Sequence, residues 1–370
     1  MWDTPALVFW ELTRACSLAC KHCRAEAVTR RHPDELTTEE CISLIDELST
    51  LKPKPTIIVT GGDPIMRDDL FEILAHATSN LRVAVAFSGT RKAARRVEDL
   101  KEVGVARIAV SVDGNEEVHD SFRGVRGSYR MSVELLEAAK SVGLPFQINT
   151  TVSRETIDSL PEVAKLAASL GAEMWDVFFV VPTGRASIDL MPKPQEFEDI
   201  LCWLYDVAKR TGMSVKSSAA THMRRIEAMR GCGEMPTVGE LYRKLSKRLD
   251  ELPIAARVAK GSIGRIPGIT DGRGMMFVSH VGEVYPSGFL PISAGNVRER
   301  SVIEIYRTSR IFVELRDPDR LKGKCGVCEY RRICGGSRAR AYAVHGDYLA
   351  EEPCCTYVPR RLSKTNSSNR

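Results

Sequence analysis

The stretch Ala6-Leu-Val-Phe-Trp-Glu-Leu-Thr-Arg-Ala-Cys-Ser-Leu-Ala-Cys-Lys-His-Cys23 joins a short apolar run to three cysteines spaced C-x3-C-x2-C. Residues 6–12 read as a β-strand buried on both faces, because the run is apolar, short and rich in β-branched and aromatic side chains. Cys16, Cys20 and Cys23 then follow on the loop leaving that strand. Three thiolates are one fewer than an ordinary iron–sulfur or zinc site uses. The spacing fits a cluster with one open iron, which can bind and activate a ligand. It equally fits a zinc site completed by His22 or His32, or a set of buried thiols.

Outward from this stretch, apolar strand-like runs alternate with amphipathic helical ones. The strand candidates are 6–12, 56–60, 82–88, 107–112, 145–152 and 174–181. The helical candidates are 38–51, 68–79, 92–103, 131–142 and 158–170, the first opened by a capping box with Thr37 as N-cap and Glu40 at N3. Strands alternating with helices imply a parallel sheet of right-handed β-α-β units. Six repeats fall short of the eight that close a full barrel. The fold expected is α/β, a partial (β/α)6 TIM-like barrel, with a flat doubly wound sheet as the alternative. In either, chemistry sits at the C-terminal ends of the strands. The cysteine triplet, Gly61-Gly-Asp-Pro64, Ser88-Gly-Thr90, Ser111-Val-Asp-Gly114, Asn149 and Pro182-Thr-Gly-Arg185 all fall there.

The expected organisation is a core over 1–190, a helical bridge over 191–274 with breaks near 231–236 and 261–268, a cysteine-bearing unit over 275–360 and a disordered tail over 361–370. The third unit opens with a β-hairpin over 275–285 turning near Val281-Gly282, and has a short helix near 301–307.

Composition bounds the function. No stretch approaches 18 uninterrupted apolar residues, so no membrane span is expected. The first residues lack the basic segment of a signal peptide. Eleven cysteines without such a signal argue for a reducing, cytoplasmic setting and metal binding. Cys41 and Cys202 read as small buried hydrophobes on helices. A net charge of +5, dispersed along the chain, gives no argument for nucleic acid. The second cysteine cluster, Cys325, Cys328 and Cys334 followed by Cys354-Cys355, is a metal-site pattern for which zinc is one reading.

The C-x3-C-x2-C loop after strand 1 and Gly61-Gly-Asp-Pro64 after strand 2 together resemble the radical S-adenosylmethionine (SAM) enzymes. The resemblance implies that Cys16, Cys20 and Cys23 hold a [4Fe-4S] cluster. Its open iron would bind SAM for cleavage to a 5′-deoxyadenosyl radical. Gly61, Gly62, Asp63 and Pro64 are implied to meet the SAM amine, with Asp63 where the family usually has Glu. Ser111, Asp113 and Asn149 match further SAM-facing positions, and the backbone of Val180 and Val181 matches an adenine-reading edge. Asp113 also reads as a turn residue and Asn149 as a loop cap. His22 is expected to pack near the adenine rather than bind iron.

The run Cys325-x2-Cys328-x5-Cys334-Gly-Gly resembles the SPASM/Twitch extension of these enzymes, which carries auxiliary clusters. Ser287 and Arg338 stand where two further cysteines would, so one auxiliary [4Fe-4S] cluster is expected, held by Cys325, Cys328, Cys334 and Cys355, with Cys354 as the alternative fourth ligand. Four cysteines would saturate it and favour electron transfer. The closest shading is toward radical SAM proteins of alternative haem and haem d1 biosynthesis, through Trp10–Cys16, His119–Gly124, Gly282–Pro286, Gly295–Arg298 and Cys334–Arg340. This implies a tetrapyrrole-like, carboxylate-bearing substrate and an external low-potential electron donor. The alternatives are a peptide-modifying maturase and a zinc-stabilised non-catalytic protein. Arg185, Arg338 and Arg340 are candidates for gripping carboxylates. Tyr285, Tyr330, Cys232 and His280 are unranked candidates for meeting a substrate radical.

Overall fold

A strand flanked on one face by amphipathic helices must present apolar side chains to that face at every second position. Val8, Trp10 and Leu12, Ile57 and Val59, Val83 and Val85, Val110, Ile148 and Trp175 do so, and all are buried. A computed structural model describes residues 2–253 and 268–367 of the chain. The strands are β1 (Leu7–Thr13), β2 (Thr56–Gly61), β3 (Arg82–Phe87), β4 (Arg107–Ser111), β5 (Phe146–Val152), β6 (Met174–Phe179), β7 (Ser214–Ser218), β8 (Met275–Val278), β9 (Glu283–Tyr285) and β10 (Gly295–Asn296). They make one sheet in the order β10-β9-β8-β1-β2-β3-β4-β5-β6-β7. Strands β1 to β7 run parallel, as a partial barrel requires. Trp175 meets Trp203 of the helix Pro194–Thr211 edge-on at 6.1 Å, anchoring the helical layer to the last strands.

The opposite face of the sheet carries polar side chains on β4 to β7. Register pairs Ser111 with Asn149, Asn149 with Asp176 and Asp176 with Lys216 across four neighbouring strands. Side chains in register across parallel strands point to one side, so these four line one concave surface, the lumen.

The expected strands 1 to 6 and the helix opened by the Thr37–Glu40 capping box are present. Several boundaries differ. The bridge is not wholly helical: Ser214–Ser218 is a seventh parallel strand, missed because only Val215 of its five residues is buried. The helix expected over 92–103 is two, Arg91–Ala94 and Val97–Glu102, interrupted at Arg95-Arg96. A short helix Glu116–Arg123, rich in charged residues, follows β4 with Asn115 as its N-cap. The hairpin over 275–285 is not a separate sheet, because β8 pairs parallel with β1, Leu7 against Met275. The third unit thus shares the core's sheet. The break at 231–236 is a helix end at Cys232 and a turn at Gly233; that at 261–268 lies almost wholly outside the described residues. The tail expected to be disordered begins as a helix, Arg360–Ser367, whose first residue pairs with Glu234 at 2.9 Å.

Candidate active site

The cysteine loop is fastened from three sides. Cys16 N–H donates to the Val28 carbonyl at 2.8 Å, turning the loop back on its own exit. Ala19 and Lys21 N–H groups donate to the Arg123 and Phe122 carbonyls at 3.1 and 3.0 Å, docking the loop on the helix Glu116–Arg123. From the loop that follows β6, Arg185 donates to the carbonyls of Cys20 at 2.9 Å and Ala27 at 3.1 Å. The guanidinium expected to grip a carboxylate is therefore spent holding this loop.

Cys16, Cys20 and Cys23 pack in one small apolar cluster with Leu18, Ala27 and Val125. Donors aim at each. Leu18 N–H lies 3.4 Å from Cys16 Sγ, Ala27 N–H 3.4 Å from Cys23 Sγ, and Arg123 Nη1 3.9 Å from Cys20 Sγ. Burial pushes the Cys16 thiol up to about 11 and raises Cys20 as well, against the pull of Arg123. Those two thiols favour the protonated form on their own, and metal binding must release their protons. A thiolate-ligated cluster fits this donor set, since N–H groups directed at sulfur stabilise the ligated form. His22 stacks on Phe122 at 4.1 Å, within 8° of parallel, and burial holds its pKa down at about 3.

Gly61 and Gly62 are dictated by contact with the end of β1. A Cβ on Gly61 would sit 2.3 Å from the Thr13 carbonyl oxygen, and one on Gly62 2.4 Å from that of Ala15. This packing sets the two strand ends side by side. Pro64 starts a single 3-10 turn that Asp63 caps through Ile65 N–H at 3.4 Å. The Asp63 carboxylate accepts from Ser88 Oγ at 2.5 Å and Thr90 Oγ1 at 3.3 Å. Ser88 in turn accepts from Cys16 Sγ at 3.7 Å. Complete burial outweighs these bonds and raises the Asp63 pKa to about 6.

That shift fixes a sign. Folded Asp63 holds its proton more tightly than the unfolded chain, so its contribution is full below about pH 4 and lost as pH rises through about 6. In iron-free protein, Asp63→Asn is expected to flatten the fall in unfolding free energy between pH 4 and pH 7 by roughly 3 kcal/mol, read from urea denaturation. An unchanged pH slope would show that Asp63 ionises normally.

Asp113 behaves oppositely. It accepts from Arg123 Nε at 2.6 Å and Thr151 N–H at 2.7 Å. Burial disfavours its charge, but Arg123 beside it outweighs that and holds its carboxyl below the usual range. Arg123 thus bridges Asp113 to Cys20. Ser111 and Asn149 face the lumen, where Asn149 accepts from Gln147 at 2.7 Å. Val180 and Val181 lie just past β6. The Val180 carbonyl accepts from Arg340 and its N–H donates to the Val152 carbonyl at 3.1 Å, so both of its backbone groups already have protein partners.

Cys325, Cys328, Cys334 and Cys355 line one cavity at the other end of the chain, floored by Gly335 and Gly336. A Cβ on Gly336 would lie 3.4 Å from Cys325 Sγ and 2.5 Å from Arg338 Nη2. Cys354 turns the other way, into the main apolar core. Among the described residues no three thiol, imidazole or carboxylate groups converge as chelation of a single ion requires. A cavity bordered by four thiols and cradled by glycine fits a larger group. Ser287, standing where another cysteine was expected, is buried in a turn with Leu290. Arg338 donates to the Tyr348 and Ala350 carbonyls and reaches Cys325 Sγ at 3.8 Å. Arg340 is fully buried, paired with Glu352 at 3.1 Å. Neither is free to hold a substrate.

Lys216, Asp176, Arg123, His222 and Arg225 escaped the sequence reading. The alternation within Ser214–Ser218 was a faint signal for Lys216; His222 and Arg225 carried none. In the lumen, Lys216 Nζ sits 2.7 Å from Asp176, the lysine side chain 32% exposed and the carboxylate 2%. On β1, Glu11 joins Arg24 at 2.8 Å and His280 at 2.7 Å.

The sequence model of the Radical SAM superfamily matches residues 10–167. An AdoMet-dependent heme synthase from Methanosarcina barkeri is 41% identical over 365 residues, spanning 97% of this chain and 98% of its own. A pre-heme d1 synthase from Dinoroseobacter shibae is 28% identical over 356 residues, spanning 94% and 85%. Among solved structures, Streptococcus suis SuiB bound to the precursor peptide SuiA superposes with a TM-score of 0.68 at 13% identity, covering 96% of this chain and 76% of that one. The last is a likeness of fold.

Proposed function

Because the chain belongs to the radical SAM superfamily, we propose that it acts on the carboxylate-bearing side chains of a haem-type tetrapyrrole, using one SAM-binding [4Fe-4S] cluster and one auxiliary [4Fe-4S] cluster. The observation that carries this reading is the 41% identity, end to end, to a heme synthase. Bound together, the N-terminal cluster and SAM supply a 5′-deoxyadenosyl radical that takes a hydrogen atom from the substrate.

The chain's own residues do the rest. Cys16, Cys20 and Cys23 hold the first cluster, and Arg185 and Arg123 keep their loop seated. Gly61 and Gly62 let β2 end against that loop. Asp63, Ser88 and Thr90 form a buried hydrogen-bonded post behind Cys16. Ser111, Asn149 and the Asp113–Arg123 pair form the adjoining wall where SAM lies. Cys325, Cys328, Cys334 and Cys355 would hold the auxiliary cluster, which would supply a site able to accept an electron. An external low-potential donor supplies the first cluster. Among the described residues no helix is long and apolar enough to cross a membrane, and we place the protein in the cytoplasm, where its eleven unpaired thiols stay reduced.

With Arg185, Arg338 and Arg340 spent, Lys216 is the lumen cation that meets a substrate carboxylate. Replacing Lys216 by Met together with Asp176 by Asn, which avoids a lone buried carboxylate, is expected to raise KM for the tetrapyrrole by about 10- to 100-fold, the worth of one charge-assisted hydrogen bond. Substrate-free SAM cleavage should not move. An unchanged KM removes Lys216 from the substrate site.

The whole reading is tested anaerobically with dithionite, SAM and iron coproporphyrin III, a tetrapyrrole with carboxylate side chains. The expected products are 5′-deoxyadenosine and a porphyrin lighter by loss of carboxyl groups, seen by mass spectrometry. SAM cleavage with the porphyrin untouched would overturn the tetrapyrrole assignment.

A further inference from the structure

The cavity of the second cysteine cluster has a wall contributed by the bridge. Strand β7 ends at Ser218, and four residues later the chain reaches that cavity. Thr221 Oγ1 lies 3.6 Å from Cys334 Sγ. His222 and Arg225 border the same cavity as the four thiols. His222 is 1% exposed, and neither ring nitrogen has a partner among the described residues. Arg225 is 2% exposed. Its Nη2 pairs with Glu198 at 2.5 Å and its guanidinium lies over the Tyr357 ring at 4.9 Å, yet its Nε has no partner either. Two buried donors one helical turn apart are left unmade beside a thiol-lined cavity. A neutral imidazole carries one N–H, and burying it without an acceptor is destabilising. Native proteins do not keep such groups orphaned when an acceptor is at hand.

We propose that His222 and Arg225 donate hydrogen bonds to the auxiliary iron–sulfur cluster and raise its reduction potential. The inference rests on the auxiliary cluster proposed above. A donor at a cluster sulfur favours the form with one more negative charge, so removing it lowers the potential. The bridge segment thereby sets how readily the cluster takes an electron from the barrel whose last strand it continues.

The test is an EPR-monitored redox titration of reconstituted full-length protein with SAM bound, which separates the signals of the two clusters. Wild type, His222→Phe and His222→Gln are compared. The expected result is a lower auxiliary potential for His222→Phe, a value nearer wild type for His222→Gln, which keeps an N–H donor, and an unmoved N-terminal cluster. Wild type labelled with [15N]histidine adds a measurement that needs no variant: the auxiliary signal should show a histidine-nitrogen coupling in pulsed EPR. Equal potentials in all three proteins, or no such coupling, overturn the proposal. A wild type holding about four irons instead of about eight overturns the auxiliary cluster itself, a separate failure.

Discussion

Replacing Cys16, Cys20 and Cys23 together by alanine is expected to leave about four of about eight irons per chain and to abolish SAM cleavage, a loss beyond three orders of magnitude. Every contact described around the loop serves those three sulfurs. The N–H groups of Leu18 and Ala27 point at sulfur, and Arg123 reaches Cys20 Sγ while it pairs with Asp113. Alanine keeps the small apolar cluster with Leu18 and Val125, so the barrel should fold and the second cavity should still fill. Iron analysis and Mössbauer spectroscopy read the first part, and 5′-deoxyadenosine formation under dithionite reads the second. A triple variant that cleaves SAM at the wild-type rate would remove the loop from the chemistry. Zinc in place of iron in the reconstituted wild type would favour the non-catalytic reading.

The second large effect is on stability. Arg340→Met should cost about 3–5 kcal/mol, because it leaves Glu352 charged and buried without its partner. Arg340 is fully buried and Glu352 is 1% exposed. The same guanidinium donates to the Ala219 carbonyl at 2.7 Å and to the Phe179 and Val180 carbonyls at 3.3 Å each, at or just past the ends of β6 and β7. Glu352 in turn accepts from the N–H groups of Ser337 at 2.7 Å and Cys354 at 3.1 Å. One ion pair thus ties the lumen's last two strands to the loop that bears the second cysteine cluster. Arg340→Lys should rescue little, since a single ammonium cannot reach these acceptors at once. Adding Glu352→Leu should recover part of the loss.

The pH dependence of this pair has a definite sign. Burial opposes charge on Glu352, but Arg340 outweighs it and the folded pKa lies below the ordinary value. The pair's contribution is therefore full above about pH 4.3 and lost as pH falls below it. The gap in unfolding free energy between wild type and Arg340→Met should hold from pH 7 down to about pH 4.3 and narrow as pH drops below it. A gap independent of pH would mean that Glu352 is already protonated when paired.

The barrel strands were legible because each is an apolar run between turn-forming residues, and both neighbours of each strand are helices. Ser214–Ser218 was not, because an edge strand facing a polar lumen offers one apolar side chain in five. The hairpin over 275–285 was legible as a hairpin through its Gly282 turn. Its pairing with β1 was not, since a contact between Leu7 and Met275 leaves no local mark. The arginines misled for a related reason. Arg185, Arg338 and Arg340 are the residue type that grips carboxylates, and the same fork geometry grips backbone carbonyls. Sequence spacing cannot tell which acceptor stands in front of them.

By itself the sequence determined the chemistry's ingredients: three thiols after the first strand, a Gly-Gly-acid-Pro turn after the second, and four more cysteines near the end. These are covalent properties and local spacings, and they survive whatever the rest of the chain does. Only the tertiary structure decided who stands beside whom. It set Arg123 between Asp113 and Cys20, Lys216 in the lumen, Cys355 rather than Cys354 on the thiol-lined cavity, and His222 against it. Those neighbours lie tens to hundreds of residues apart, and they meet because burial of one continuous apolar core closes the sheet around a polar face.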